Sequence, residues 1–242
     1  MPVFGSKIIF LDTVDSTNNY AATLIEKNEA VNGTVVLADY QFSGRGQRTK
    51  RWEANKGENL TFSVIWMPDK LSVSTLATIN WWVSLTLVRF LDSHGIKAKI
   101  KWPNDLLVQR QKIAGLLIEN KLHGDQIKSL VIGIGLNVNQ SFDAQGLALS
   151  MAMITKREWP LRKLLIEFLA FLNHSIDGLD DPQQLKEAYE KELFLYQKQI
   201  TYTMKNEVYT GLLLGVNEHG QLNVSQQNRT LTFNAGEITL HY

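Results

Sequence analysis

Apolar residues change their spacing several times along the chain, and each change marks an element. Residues 7–12 (KIIFLD) form a short run of strand character. The polar group Asp15, Ser16, Thr17 and Asn18 follows it and offers N-caps for a helix with Tyr20, Ala21, Leu24 and Ile25 on one face. Thr34 to Asp39 (TVVLAD) is apolar and β-branched, which predicts a buried strand. In residues 60–66, Leu60, Phe62, Val64 and Trp66 fall on one face of a strand. The longest helical pattern covers 74–92, where Leu76, Ile79, Val83, Leu87 and Phe90 recur at steps of three and four. Gly95 stands just past its end as a C′ residue. Strands are predicted around 97–102, 105–109, 112–119 and 128–138, with a tight turn joining the middle two. Pro160 opens an amphipathic helix through Leu161, Leu164, Leu165, Phe168 and Leu172, and Asp181-Pro182 opens another that ends near Leu193.

From Gln199 onward the pattern becomes short β-like runs (ITYTM, YTGLLLGV, QLNV, TLTF, ITLHY) separated by turn clusters such as Asn217-Glu218-His219-Gly220. Such runs predict a small barrel, with a boundary within 190–198. Between the second and third predicted strands lies a polar, basic stretch from Gln41 to Asn59 that contains Gly44, Gly46 and Gly57. A loop that long inside a compact domain is usually functional or disordered. No repeats or low-complexity segments interrupt the chain.

Composition narrows the classes. The 242 residues are 44% hydrophobic and 20% charged, enough apolar content for a real core. No apolar run approaches the roughly 18 residues of a membrane span, and Met1 to Phe10 lacks the long apolar region of a secretory signal. The absence of cysteine excludes disulfides, thiolate metal sites and a cysteine acyl-enzyme, and it fits a cytoplasmic protein. A net charge of +1 argues against a surface built for nucleic acid. The one basic cluster, Arg45, Arg48, Lys50 and Arg51, therefore calls for a local explanation.

Four segments carry candidate chemistry. Gly44-Arg45-Gly46-Gln47-Arg48-Thr49-Lys50-Arg51-Trp52 is neither a phosphate-binding P-loop nor a dinucleotide-binding glycine turn. It is a cationic strap ending in a π-face: glycine backbone can approach an anion, arginine can grip carboxylate or phosphate, and Trp52 can stack on a base. A solvated basic loop explains it equally well. In Lys101-Trp102-Pro103-Asn104-Asp105, Pro103 fixes the turn from which Asn104 and Asp105 project, as they also would in an ordinary Asx turn. Lys112-Ile113-Ala114-Gly115 brings a lysine into an apolar strand, where an anionic ligand against Gly115 or a head group in water would accommodate it. Gly133-Ile134-Gly135-Leu136-Asn137 leaves one strand face bare, for a ligand or for close packing.

Taken together and in this order, GRGxxxxxW, KWPND, KIAGLLIE and GIGLN resemble the biotin protein ligases. Ser16-Thr17-Asn18 and Tyr40-Gln41 fall where that family has its S-T-N and Q elements. The resemblance implies an α+β fold: a mixed, largely antiparallel sheet with helices packed on it, plus a small C-terminal SH3-like β-barrel. It divides the chain into a catalytic domain over 1–194 and the barrel over 195–242. It implies ATP and biotin as substrates, magnesium carried with the nucleotide, and a biotin carboxyl carrier protein as partner. Assembly as a homodimer is open to such a chain.

Carried over residue by residue, Ser16, Thr17, Asn18 and Gln41 hold the biotin head. Gly115, Gly133 and Gly135 lie along its apolar rings and tail, and Gly44, Arg45, Gly46 and Gln47 close over it. Lys112 contacts the reacting carboxyl oxygens, and Lys112 and Arg45 offset the charge that develops there. Arg48, Trp52, Asn104, Asp105 and Asn137 lie near the adenylate, and no protein metal site is implied.

The strap departs from the family's frequent G-R-G-R-R-G-R-x-W at Gln47, which removes a charge, and at Thr49, which removes backbone freedom. The nearest rival is a lipoate or octanoate ligase on the same fold, against which KWPND and the GRG strap weigh. A nucleic-acid-binding module is the rival from another class. Because the S-T-N element begins at Ser16, the expectation is a ligase without a preceding DNA-binding domain.

Overall fold

The computed structural model describes residues 3–143 and 146–241. Seven strands build its larger sheet: β1 (Lys7–Val14), β2 (Thr34–Gln41), β3 (Leu60–Trp66), β4 (Lys99–Lys101), β5 (Asp105–Val108), β6 (Gln111–His123) and β7 (Gln126–Leu136). Their order is β1-β2-β3-β7-β6-β5-β4. The β1–β2 pair is parallel, with helix α1 (Thr17–Glu26) between its strands in sequence, and the remaining pairs are antiparallel. The expected mixed, largely antiparallel sheet is thus the one observed. The predicted strands 112–119 and 128–138 extend toward each other and close as a hairpin over Gly124.

Helices α2 (Leu76–Ser93), α3 (Met151–Thr155), α4 (Leu161–Ser175) and α5 (Pro182–Glu192) complete this part of the chain. The five-residue α3 is absent from the sequence reading because it is too short to show a helical period. Asp181 caps α5 through the N–H of Gln184 at 2.9 Å, with Pro182 in the first turn as predicted. Gly95, at φ +78, follows the end of α2 in the left-handed conformation a helix terminator needs.

The sheet has an apolar face and a working face. Leu60, Phe62, Val64 and Trp66 join Phe90 and Phe168 in the main core, with the Phe62 and Phe168 rings edge to face at 5.8 Å. The other face of β3 is buried too, so the one-sided exposure implied by its alternation is corrected. The reason is α1, whose Ala21 and Leu24 form a second, smaller core with Val36, Ile65 and Val131.

Register then makes a cleft beside α1. Asp105, Gly115, Gly135 and Thr61 lie directly opposite one another across β5, β6, β7 and β3. Leu117, Gly133 and Ser63 form the next row on the same face. Glycine occupies the middle of both rows, so the backbone itself is the floor.

The C-terminal strands β8 (Gln199–Met204), β9 (Glu207–Val216), β10 (Leu222–Gln226), β11 (Arg229–Phe233) and β12 (Thr239–His241) form a five-stranded antiparallel sheet ordered β11-β10-β9-β8-β12. This agrees with the expected small SH3-like module. Tyr242, the last residue of the predicted final strand, and Met1 lie outside the described residues. The two sheets share one apolar core, and polar bonds tie the C-terminal strands to the rest of the chain: Trp102 Nε1, just after β4, donates to Gly220 O at 2.8 Å, and Val216 N of β9 donates to Glu190 Oε1 of α5 at 2.9 Å.

Candidate active site

The cleft has a volume of about 510 Å³. Its closed end is polar and buried. Gln41 Oε1 accepts from both the backbone N–H and the hydroxyl of Thr17, at 2.7 and 3.0 Å. The free N–H groups at the start of α1 are thus met partly by a residue on β2. The side-chain cap expected from residues 15–18 does not form, and Ser16, buried in the lining, keeps its hydroxyl off the helix. Ser63 donates from β3 toward Thr17 Oγ1 and Asn18 Oδ1, at 2.8 and 2.6 Å. Asn18 in turn donates to Glu119 Oε2 at 2.8 Å and to Leu117 O at 3.2 Å.

Glycine is required on the floor. A Cβ at Gly133 would fall 2.3 Å from Asn18 Oδ1, and one at Gly135 would fall 2.3 Å from the Trp52 ring. Asn18 and Trp52 therefore lie directly on bare backbone.

At the open end, Lys112 Nζ pairs with Asp105 Oδ1 at 2.6 Å, next to Gly115, and stands 5.4 Å from the Trp52 ring centroid. Lys112 thus has a partner in its own sheet, one strand away. The tip of the KWPND turn is held by Asn104, whose side chain donates to Leu116 O at 2.5 Å and whose carbonyl accepts from Leu116 N at 2.9 Å.

The strap is more ordered than a loop without apolar periodicity suggests. Arg45 and Arg51 form a β-bridge, Trp52 N donates to Gly44 O at 3.0 Å, and Gly46 N donates to Lys50 O at 2.9 Å. Arg45 grips Glu119 with two bonds of 2.7 and 3.0 Å and also donates to Asn19 at 2.8 Å. Gln47 lines the cleft. Arg48 donates to Ala235 O and, at 3.2 Å, to Gly236 O, both in the turn before β12.

Most residues proposed from the sequence converge on the cleft: Ser16, Thr17, Asn18, Gln41, Arg45, Gly46, Gln47, Arg48, Trp52, Asn104, Asp105, Lys112, Gly115, Gly133 and Gly135 line it. Two do not. Gly44 is buried where a Cβ would fall 2.3 Å from Trp52 O, so it lets the two stems of the strap approach. Asn137 is buried with its amide donating to Lys112 O and Leu149 O, at 3.2 and 3.1 Å. Both lie outside the lining, the space beside Gly44 being filled by the strap's own backbone and the Asn137 amide N–H groups being bonded within the protein.

The sequence reading also missed Ser63 and Glu119, which hold Thr17, Asn18 and Arg45 from behind the lining, and a wall made by Gly236, Ile238, Thr239 and Leu240. Strand alternation carries a signal for two of them. Glu119 lies two and four residues beyond Leu117 and Gly115, and Ser63 falls on the face opposite Phe62.

A model of the biotin/lipoate A/B protein ligase family matches residues 10–137, which hold the strap, the KWPND turn and both glycine strands. The chain belongs to this family. Among its relatives, the bifunctional ligase/repressor BirA of Bacillus spizizenii is 28% identical over 249 residues, spanning 98% of this chain and 75% of that protein. The biotin–[acetyl-CoA-carboxylase] ligase of Mycobacterium tuberculosis is 25% identical, spanning 94% of this chain and 88% of that protein. The solved structure of the Aquifex aeolicus biotin protein ligase with biotin and ATP superposes with a TM-score of 0.80. It is 26% identical and covers 98% of this chain and 99% of that one.

Proposed function

We propose that the chain is a biotin protein ligase that converts biotin and ATP to biotinyl-5′-AMP and transfers the biotinyl group to a carrier-protein lysine. The observation that carries this reading is a single cleft with a buried polar end, a glycine floor and the Lys112–Asp105 pair at its mouth. The likeness over nearly the whole chain to a ligase that holds biotin and ATP supports it.

A ureido ring both donates and accepts hydrogen bonds, which suits Ser16, Thr17 and Gln41 at the closed end. A dithiolane offers no such bonds, which disfavours lipoate. The apolar rings and tail then run along β6 and β7 against the Asn18 and Trp52 side chains that cover Gly133 and Gly135, which brings the carboxylate to Lys112. A carboxylate oxygen attacks the α-phosphorus of ATP, the bond to the bridging oxygen breaks, and pyrophosphate leaves. Lys112 stabilises the negative charge that builds there, and the strap excludes water from the mixed anhydride. In the second step the acceptor amine attacks the acyl carbon and gives up a proton, and AMP leaves.

Among the described residues no group of three or more histidines or carboxylates can hold a metal ion. Magnesium would enter with ATP, carried on the nucleotide phosphates. The partner is a biotin carboxyl carrier protein, and dependence on ATP and that carrier favours the cytoplasm.

Exchange of labelled pyrophosphate into ATP tests the first step. Exchange that depends on biotin is expected. Exchange that depends on lipoate and not on biotin rejects the reading.

A further inference from the structure

Arg48 does not reach toward the polar end of the cleft. It spans to the C-terminal sheet, where its guanidinium meets the carbonyls of Ala235 and Gly236, 187 and 188 residues away in sequence. The seat is shaped for it. Gly236 adopts φ +78, and a Cβ there would fall 2.1 Å from Arg48 Cζ. The turn is closed from within, because Asn234 N donates to Glu237 Oε2 at 2.7 Å and Glu237 N donates to Asn234 O at 3.1 Å. The Asn234 backbone N–H and its side-chain amide, which donates to Glu237 Oε1 at 3.1 Å, hold the Glu237 carboxyl below its ordinary range, and the charge of Arg48 adds to the effect. Beyond the turn, Ile238, Thr239 and Leu240 line the same cleft.

We propose that Arg48 is a positioning residue that latches the tip of the strap to the 234–237 turn, so that retention of the acyl-adenylate depends on the C-terminal sheet. The proposal rests on the ligase reading above. The strap is anchored at its stem by Arg45 on Glu119, on the larger sheet, and at its tip by Arg48 on the smaller one. A strap held at one end only can swing, and the mixed anhydride beneath it is then open to loss and to water. A charged donor on two carbonyls is a stronger tie than a neutral hydrogen bond, yet an exposed one can still release. This suits a cover that must open for the acceptor lysine.

The test is a double-mutant cycle on release of preformed biotinyl-adenylate, read by chase with excess unlabelled ligand. Arg48→Ala is expected to speed release about tenfold. Gly236→Ala, which fills the guanidinium seat, is expected to do the same, and the double variant is expected to be no faster than either single one. Arg48→Lys should recover part of the loss. Additive effects, or wild-type release from Arg48→Ala, would overturn the latch, since additivity means that Arg48 meets the ligand directly.

Should Gly236→Ala fail to fold by circular dichroism, hydrogen exchange of amides 45–51 carries the test. Faster exchange in Arg48→Ala is expected, and unchanged protection rejects the proposal. If the wild-type protein forms no adenylate, the ligase reading fails. The latch is then judged on the same exchange in the free protein.

Discussion

Lys112 and Gln47 show how single side chains shape the proposed chemistry. Lys112 stands near the start of β6 beside Gly115, and its partner Asp105 stands directly opposite that glycine on β5. Its ammonium therefore sits at a fixed point before any ligand arrives, which suits the proposed role of meeting charge that appears only during reaction. Lys112→Ala is expected to slow adenylate formation by 100-fold or more, corresponding to about 3 kcal/mol, while changing biotin affinity far less. Single-turnover measurement of adenylate alongside calorimetric binding of biotin separates the two. Equal losses in both would move Lys112 from the reaction to simple binding. Gln47 lines the cleft without the charge that an arginine would bring there. Gln47→Arg is expected to slow adenylate release several-fold at low salt, an effect of about 1 kcal/mol, and to lose that advantage as salt rises. Unchanged release at low salt would mean that position 47 does not meet the ligand.

The strap and the glycine strands set the site at the scale of elements, and here the sequence was readable in some places and silent in others. Glycines at 133 and 135 announced a bare strand face because strand side chains alternate, and the structure lays Asn18 and Trp52 on that face. Pro103 announced a fixed turn. The strap read as a loop because its hairpin is held by backbone bonds, by the Arg45–Glu119 ion pair and by Arg48 on distant carbonyls, and none of these leaves a hydrophobic period. Helix α1 looked locally capped, yet its cap comes from Gln41, 24 residues later. The arrangement gives an order of proteolysis. All four basic residues of the strap are exposed, but the side chain of Arg45 is tied to Glu119 and that of Arg48 to the C-terminal turn. Trypsin is expected to cut first after Lys50 or Arg51, with cutting suppressed by biotin plus ATP. Equal cleavage with and without ligands would count against a strap that closes.

Across the whole molecule, the larger sheet supplies the floor and the reacting groups, and the C-terminal sheet supplies part of a wall. Sequence patterning resolved both sheets because each has its own strand rhythm. It could not show that they meet at the cleft. The bonds responsible, Trp102 to Gly220 and Arg48 to Gly236, join residues more than 100 positions apart, and no spacing rule reaches that far. On the proposed latch, a cleft shared by two sheets would retain an unstable intermediate and still open at their edge. Mass spectrometry of a biotin carboxyl carrier domain, incubated with the protein, biotin, ATP and magnesium, tests the ligase function most directly. One biotinyl group on a single lysine, absent without ATP, is the expected result. An acceptor left unmodified with biotin, but acylated when lipoate replaces it, would contradict it.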